Sequence, residues 1–324
     1  MPSSPVSPEA FPQEPAAALV SSQPEGVVGG RSALIGAIMA SSAAVMWGTN
    51  GVVSHVLFQA GVTPLTLVEA RSIITAVGMG GFLLIAARSR LRLSRRVLPL
   101  LLLFGVSLAI VTYSYFLAIK LLPVAVAVMI QYTGPTLIAL YSALVMRRMP
   151  SRRVWAALAL TLVGVALLAG LGSLLTGGSA AKGVTLLGVL VAFGSAIVMA
   201  FYILTGERLG KQVHPQTSVF YGFGLASLIW LVLQPPWSFQ TLALQPAHLP
   251  LVLTVGIIGT LVPFGLFLAA IRRLDATRAA IISTVEPVTA ALISWWLLGE
   301  GLDPWQLLGS ALVLVGVTIV QLKR

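Results

Sequence analysis

Cysteine is absent from this 324-residue chain, which excludes disulfides, thiolate metal centres and thiol nucleophiles. Charge is almost as scarce: 9% of residues are Asp, Glu, Lys or Arg, against roughly a quarter in a soluble domain. Only nine residues are acidic, and Asp275 and Asp303 are the only aspartates. Both fall at expected helix starts, where capping is the ordinary role. Catalytic signatures are missing too. There is no His-Glu-x-x-His, no Gly-x-Ser-x-Gly and no phosphate-binding loop, and His55, His214 and His248 stand in different segments. Gly78-Met79-Gly80-Gly81 is glycine-rich but lies inside an apolar run and follows no strand, which rules out a nucleotide cradle. No enzyme activity, cofactor or metal is therefore expected. Residues 1–30 carry six prolines and neither Lys nor Arg, so they lack the basic and apolar parts of a signal peptide. They read as a disordered cytoplasmic tail.

What the chain has in abundance is apolar length. Hydrophobic residues make up 57% and the mean hydropathy is +0.97. A bilayer core about 30 Å thick takes roughly 20 apolar residues per helix, and such runs recur from Ala33 to Gln321. Ten-residue alternating strands, the mark of an outer-membrane barrel, are absent. The runs and the turn residues between them place helices at 33–57, 64–87, 97–119, 123–146, 153–172, 183–206, 216–234, 249–271, 276–298 and 304–322.

The net charge of +11 does not point to nucleic acid, because the basic residues fall in short clusters between apolar runs and form no continuous face. They sort by side of the membrane instead. With ten helices, seventeen Lys and Arg fall on one side, and only Lys120 and Lys182 on the other. Arg71 alone lies well inside a helix. Because Lys and Arg resist translocation, this bias places both termini in the cytoplasm.

The chain also repeats itself. A shift of 152 residues sets Ala118-Ile119-Lys120 on Ala270-Ile271-Arg272, Pro135 on Pro287, and Leu162-Val163-Gly164-Val165 on Leu314-Val315-Gly316-Val317. One residue out of that register, Ser42-Ala43-Ala44-Val45-Met46 meets Ser195-Ala196-Ile197-Val198-Met199. Each half then holds five helices, and an odd number forces the halves into opposite orientations. The expected fold is an all-α integral membrane protein of ten transmembrane helices, built as two inverted five-helix repeats over 31–174 and 182–324. Arg148, expected in the cytoplasm, aligns with Glu300, expected outside.

Several short elements, in order and repeated, resemble the drug/metabolite transporter superfamily, in its ten-helix EamA-type branch of metabolite exporters. They are Trp47-Gly48-Thr49-Asn50, Tyr115-Phe116-Leu117-Ala118 with Pro123, and Pro135 in the first half. The second half contributes Glu286-Pro287, Leu298-Gly299-Glu300, and Gly309 followed by Leu314-Val315-Gly316-Val317. The first half departs from the pattern, with Met146-Arg147-Arg148 where the family often carries a Glu. The resemblance implies export of small molecules, commonly amino acids or related metabolites, across the bacterial cytoplasmic membrane.

Charged side chains inside a membrane are costly and usually line a polar path or pair with one another. Glu286 precedes Pro287, whose missing N–H frees a carbonyl one turn earlier, so a polar kink is expected at mid-membrane. A carboxyl group withdrawn from water there is placed to carry a proton. Arg71 is the candidate for a substrate carboxylate or for Glu286, while Glu69 sits nearer the outer end of the same helix. The uncharged candidates are Trp47, Asn50, His55, Tyr113, Tyr115, Gln131, Tyr132 and Tyr202. Of these, Trp47, Asn50, Tyr113, Gln131, Tyr132 and Tyr202 join Arg71 as the expected substrate site. Trp155, Trp237, Trp295, Trp296 and Trp305 fall near helix ends and suit the interfacial belt. Gly164, Gly309 and Gly316 suit close helix packing.

The reading is a secondary transporter working by alternating access, with a small-molecule substrate, membrane lipid as its surroundings and no nucleic-acid partner. An uncoupled facilitator or uptake carrier of the same fold is the alternative, and an intramembrane enzyme or sensory protein a more distant one.

Overall fold

The structure is a computed structural model, and it describes residues 30–134, 136–138, 141, 152–168, 171–172, 183–271, 273–274, 279 and 282–321. The expected tail, Pro135, Arg147, Arg148 and Asp275 lie outside the described residues. Every regular element among the described residues is helical. The α-helices are α1 (Gly30–Gln59), α2 (Pro64–Ala86), α3 (Leu98–Leu121), α4 (Val124–Gln131), α5 (Arg152–Leu168), α6 (Leu186–Gly210), α7 (Pro215–Leu233), α8 (Leu249–Gly256), α9 (Val262–Ile271), α10 (Val285–Leu298) and α11 (Pro304–Gln321). Among the described residues, six stretches are long and apolar enough to cross a bilayer: Arg31–Gln59, Pro64–Ala86, Arg95–Leu121, Leu186–Gly210, Pro215–Leu233 and Leu249–Ala270. Shorter apolar helices cover Val124–Ile138, Trp155–Leu168, Val285–Leu298 and Pro304–Ile319.

Local chemistry sets the helix ends. Thr63 caps α2, its Oγ1 accepting from Thr66 N just ahead of Pro64, and Thr185 caps α6 through Gly188 N. Asp303 accepts from Gln306 N at 2.8 Å while its own N–H donates to Gln306 Oε1, the reciprocal cap expected of that aspartate. Gly299 ends α10 in the left-handed region at φ 67°, where glycine carries no Cβ penalty.

Three of the expected continuous helices are broken, each beside a proline. Pro287 has no N–H to give to Ser283 O, and the chain turns at Thr284 before α10 starts. Tyr132 and Thr133 form the matching turn after α4, and helix resumes at Gly134 and over 136–138. These turns coincide under the 152-residue shift, which carries Tyr132 onto Thr284. The break after α4 and a third one were not anticipated. A π-helical turn, Ile257–Leu261, separates α8 from α9, just ahead of Pro263, and Thr260 Oγ1 donates to Val255 O at 2.8 Å.

Small residues set the tightest approaches. A Cβ on Gly164 would lie 2.7 Å from Gly309 O, and one on Gly316 would lie 2.9 Å from Ala157 O. The shift carries Gly164 onto Gly316 and Ala157 onto Gly309, so the two contacts are one contact repeated. Ascending α5 from Ala157 to Gly164 descends α11 from Gly316 to Gly309, so these two repeat-related helices run antiparallel. Gly48 brings α1 equally close to α10, since its Cβ would lie 2.7 Å from Glu286 O.

The main buried core joins Leu57, Phe58, Leu67, Phe116, Ile119, Ile130, Trp230 and Val255. It gathers toward the ends of the helices where the 59–64 and 234–248 connections lie. There Gln240 accepts from Thr63 N and donates to Gly61 O, while Gln234 donates to Thr66 Oγ1. Apolar side chains such as Ile85, Leu186 and Val232 point outward, as suits a chain solvated by lipid, and the five helix-end tryptophans are exposed.

Candidate functional site

The break before α10 holds the polar centre. Tyr132 Oη lies 2.9 Å from Ser283 O and 2.9 Å from Glu286 Oε2. Both acceptors exist because of the proline. Pro287 deprives Ser283 O of its helical donor, and the turn at Thr284 places Glu286 in the first turn of α10. Tyr132 reaches both from its own turn at the end of α4, so one phenol ties the two broken helices together.

Arg71 lies one layer away, buried on α2 at 6% exposure. Its guanidinium carbon stands 4.9 Å from the Phe116 ring centre and 5.9 Å from that of Phe223. Among the described residues no carboxylate pairs with it, and its Nε has no hydrogen-bond partner. Cation–π contact with two rings is worth about 0.5–2 kcal/mol each. That offsets only part of the cost of withdrawing a guanidinium from water. Tyr115 lies within electrostatic range of both Arg71 and Glu286, and Tyr202 within range of Arg71. Arg71 on α2, Tyr115 on α3 and the bonded Tyr132–Glu286 pair at the break before α10 are thus the polar groups of this region.

The other expected site residues are placed differently. Trp47 packs edge-on against Phe264 and Phe267 of α9, at 5.5 and 5.3 Å between ring centres. Tyr113 lies 5.9 Å from Trp230, and Tyr115, which packs against the same main core, lies within electrostatic range of Arg71. Gln131 is buried and donates to Ser195 Oγ at 2.9 Å, tying α4 to α6. Tyr202 stacks on Phe104 at 4.9 Å. Asn50 is buried against Gly259 in the π-helical turn, and its Oδ1 has no hydrogen-bond partner. Glu69 is buried at 1% exposure with Oε2 likewise unpartnered.

A second polar cluster was not foreseen as a unit. Glu300 Oε2 accepts from Val124 N at 3.0 Å and from Ser294 Oγ, and Oε1 stands 3.4 Å from His55 Nε2. His55 Nδ1 is 2.8 Å from Ile119 O, so that nitrogen carries the proton, and Nε2 accepts from Gln59. Pro123 cannot cap α4 with its own side chain, and Glu300 performs that task from the far half of the chain. The clue was on hand, since Glu300 belongs to Leu298-Gly299-Glu300, but only the folded chain brings it to Val124.

Helices of spanning length, an apolar exterior and charged groups in the interior define a multi-pass helical membrane protein with an internal polar site. The chain belongs to the EamA-like transporter family, within the drug/metabolite transporter superfamily; the family's profile matches residues 34–170 and again 186–322. Over 225 residues it is 33% identical to a protein named threonine/homoserine exporter RhtA of Escherichia coli strain K12, covering 69% of this chain and 72% of that one. It is 28% identical over 280 residues to the uncharacterized transporter YwfM of Bacillus subtilis strain 168, covering 86% of this chain and 90% of the other. A solved structure, 22% identical, superposes with a TM-score of 0.55 over 88% of this chain and 95% of that one, and it supports the fold.

Proposed function

We propose that this protein exports small polar metabolites, amino acids of the threonine and homoserine kind among them, across the bacterial cytoplasmic membrane by proton-coupled alternating access. The observation that carries the reading is the buried cation Arg71 and the part-buried Tyr132–Glu286 pair beside two broken helices, with Tyr115 within electrostatic range of both Arg71 and Glu286. Arg71 is a buried cation with no carboxylate partner among the described residues, and the carboxylate of an amino acid supplies one. Glu286 supplies the exchangeable proton. The substrate class is taken from the relatives named as threonine/homoserine exporters.

In this reading ten helices form two inverted halves, with both termini in the cytoplasm. Support comes from the charge bias of the loops, from the doubled family match and from the antiparallel course of α5 and α11. Alternating access is rocking of the halves about the breaks at Tyr132 and Thr284.

Reconstitution in liposomes tests this directly. Counterflow of labelled threonine is expected, and an imposed proton gradient is expected to drive its accumulation in wild type but not in Glu286→Gln. Accumulation by Glu286→Gln equal to wild type would remove the proton-coupling role. Absence of flux for threonine, homoserine and related amino acids would remove the substrate class.

A further inference from the structure

The geometry at the α10 break holds an asymmetry of hydrogen-bond supply. Tyr132 has one hydroxyl proton and stands 2.9 Å from each of two oxygens, Ser283 O and Glu286 Oε2. A carbonyl oxygen only accepts. An ionised carboxylate also only accepts, but a protonated one donates. With Glu286 protonated, its O–H donates to Tyr132 Oη while Tyr132 donates to Ser283 O, and both contacts are hydrogen bonds. When the proton leaves to water, Glu286 becomes a charged acceptor competing for the single phenolic proton. Charge-assisted hydrogen bonds are roughly twice as strong as neutral ones, so Tyr132 turns from Ser283 O to the carboxylate.

We propose that Tyr132 is a positioning residue that converts the protonation state of Glu286 into a choice of partner. In the protonated state it stitches the end of α4 to the carbonyl exposed by Pro287. In the ionised state it releases that carbonyl and binds the side chain of Glu286. This rests on the reading of Glu286 as the proton carrier. It also revises the expectation that Tyr132 is a substrate contact. The turns concerned are the pair related by the 152-residue shift, so the switch acts where each half of the chain bends.

Among the described residues, the other titratable groups near Glu286 are few. Tyr115 of α3 lies within electrostatic range of it and of Arg71. Helix α1, which packs along α10, presents Gly48 at Glu286 O, and its His55 is engaged at Glu300. Helix α4 presents Tyr132 itself.

The experiment follows threonine counterflow in liposomes of wild type, Glu286→Gln and Tyr132→Phe between pH 5.5 and 8.5. Wild type is expected to show a single sigmoidal step and Glu286→Gln a flat profile. Tyr132→Phe is expected to keep a step whose midpoint is displaced by about one pH unit, a tenfold change in proton affinity. A merely structural tyrosine would scale the rate by one factor at every pH and leave the midpoint in place, which overturns the proposal. A pH step in Glu286→Gln identical to wild type instead overturns the proton reading itself.

Infrared difference spectra of purified wild-type protein between low and high pH supply a readout that survives if Tyr132→Phe does not fold. A protonated-carboxyl band, absent in Glu286→Gln, is expected to titrate together with a tyrosine C–O band. A carboxyl band that titrates with no accompanying tyrosine change refutes the switch.

Discussion

Replacing Glu300 by Ala removes an acceptor that serves two donors, one in each half of the chain. Val124 N and Ser294 Oγ both donate to its Oε2, and His55 lies beside its Oε1. Loss of a helix cap costs about 0.5–2 kcal/mol. Loss of a hydrogen bond to a charged acceptor costs about 1.5–3 kcal/mol. Only the cap at Val124 serves α4, so its first turn weakens by about 0.5–2 kcal/mol, which is about 2- to 30-fold in the equilibrium for local opening, while the Ser294 loss falls on α10. Glu300→Gln keeps one acceptor oxygen and should lose about 1 kcal/mol. Hydrogen exchange followed by mass spectrometry on the peptide covering 124–131 reads this locally. Acceleration in the order wild type, Glu300→Gln, Glu300→Ala is expected, with peptides from α7 unchanged. An α4 peptide that exchanges at the wild-type rate in Glu300→Ala would refute the capping argument.

Three further outcomes follow from the same geometry. Arg71→Ala should raise the KM for threonine by about tenfold or more, the scale of one charge-assisted pair. Arg71→Lys should recover only part of that, since a lysine keeps the charge without the planar face that lies on Phe116 and Phe223; an unchanged KM in both would remove Arg71 from the site. Gly309→Leu should lower the unfolding temperature sharply, because even a Cβ would lie 2.6 Å from Gly164 O, whereas Gly81→Ala, with nothing within 4 Å, should leave it unchanged. The chain contains no cysteine, so single-cysteine variants report topology cleanly. In oriented cells Ser89→Cys should react with an impermeant thiol reagent only from the cytoplasmic side and Ser238→Cys only from outside, and the reverse labelling would overturn the orientation.

Much of the architecture could be read from residue order. Helix positions followed from apolar length, because a bilayer sets one thickness for every span. Pro287 marked one of the three breaks, because its missing N–H leaves a carbonyl without a helical donor. Pro263 carried the same information for the π-helical turn, yet inside a continuous apolar run its effect passed unnoticed. The site was less legible. Tyr113 and Tyr115 are equally plausible on composition, and their separation by two residues sends them to different neighbours, one to Trp230 and the other toward Arg71 and Glu286. Gln131, expected at the substrate site, donates to Ser195, a partner 64 residues on that no local pattern indicates.

Solvent class, family and the internal repeat were determined by the sequence alone. They depend on quantities that survive any packing: hydropathy summed over a span, charge counted by loop, and identity under a fixed shift. Which polar groups meet was decided only by tertiary structure. Tyr132 and Glu286 lie 154 residues apart, Val124 and Glu300 176 residues apart, and no local pattern records those distances. Contact between them depends on how closely helix backbones approach, at Gly48 against α10 and at Gly164 against Gly309. That approach is set by side-chain volume on both partners at once.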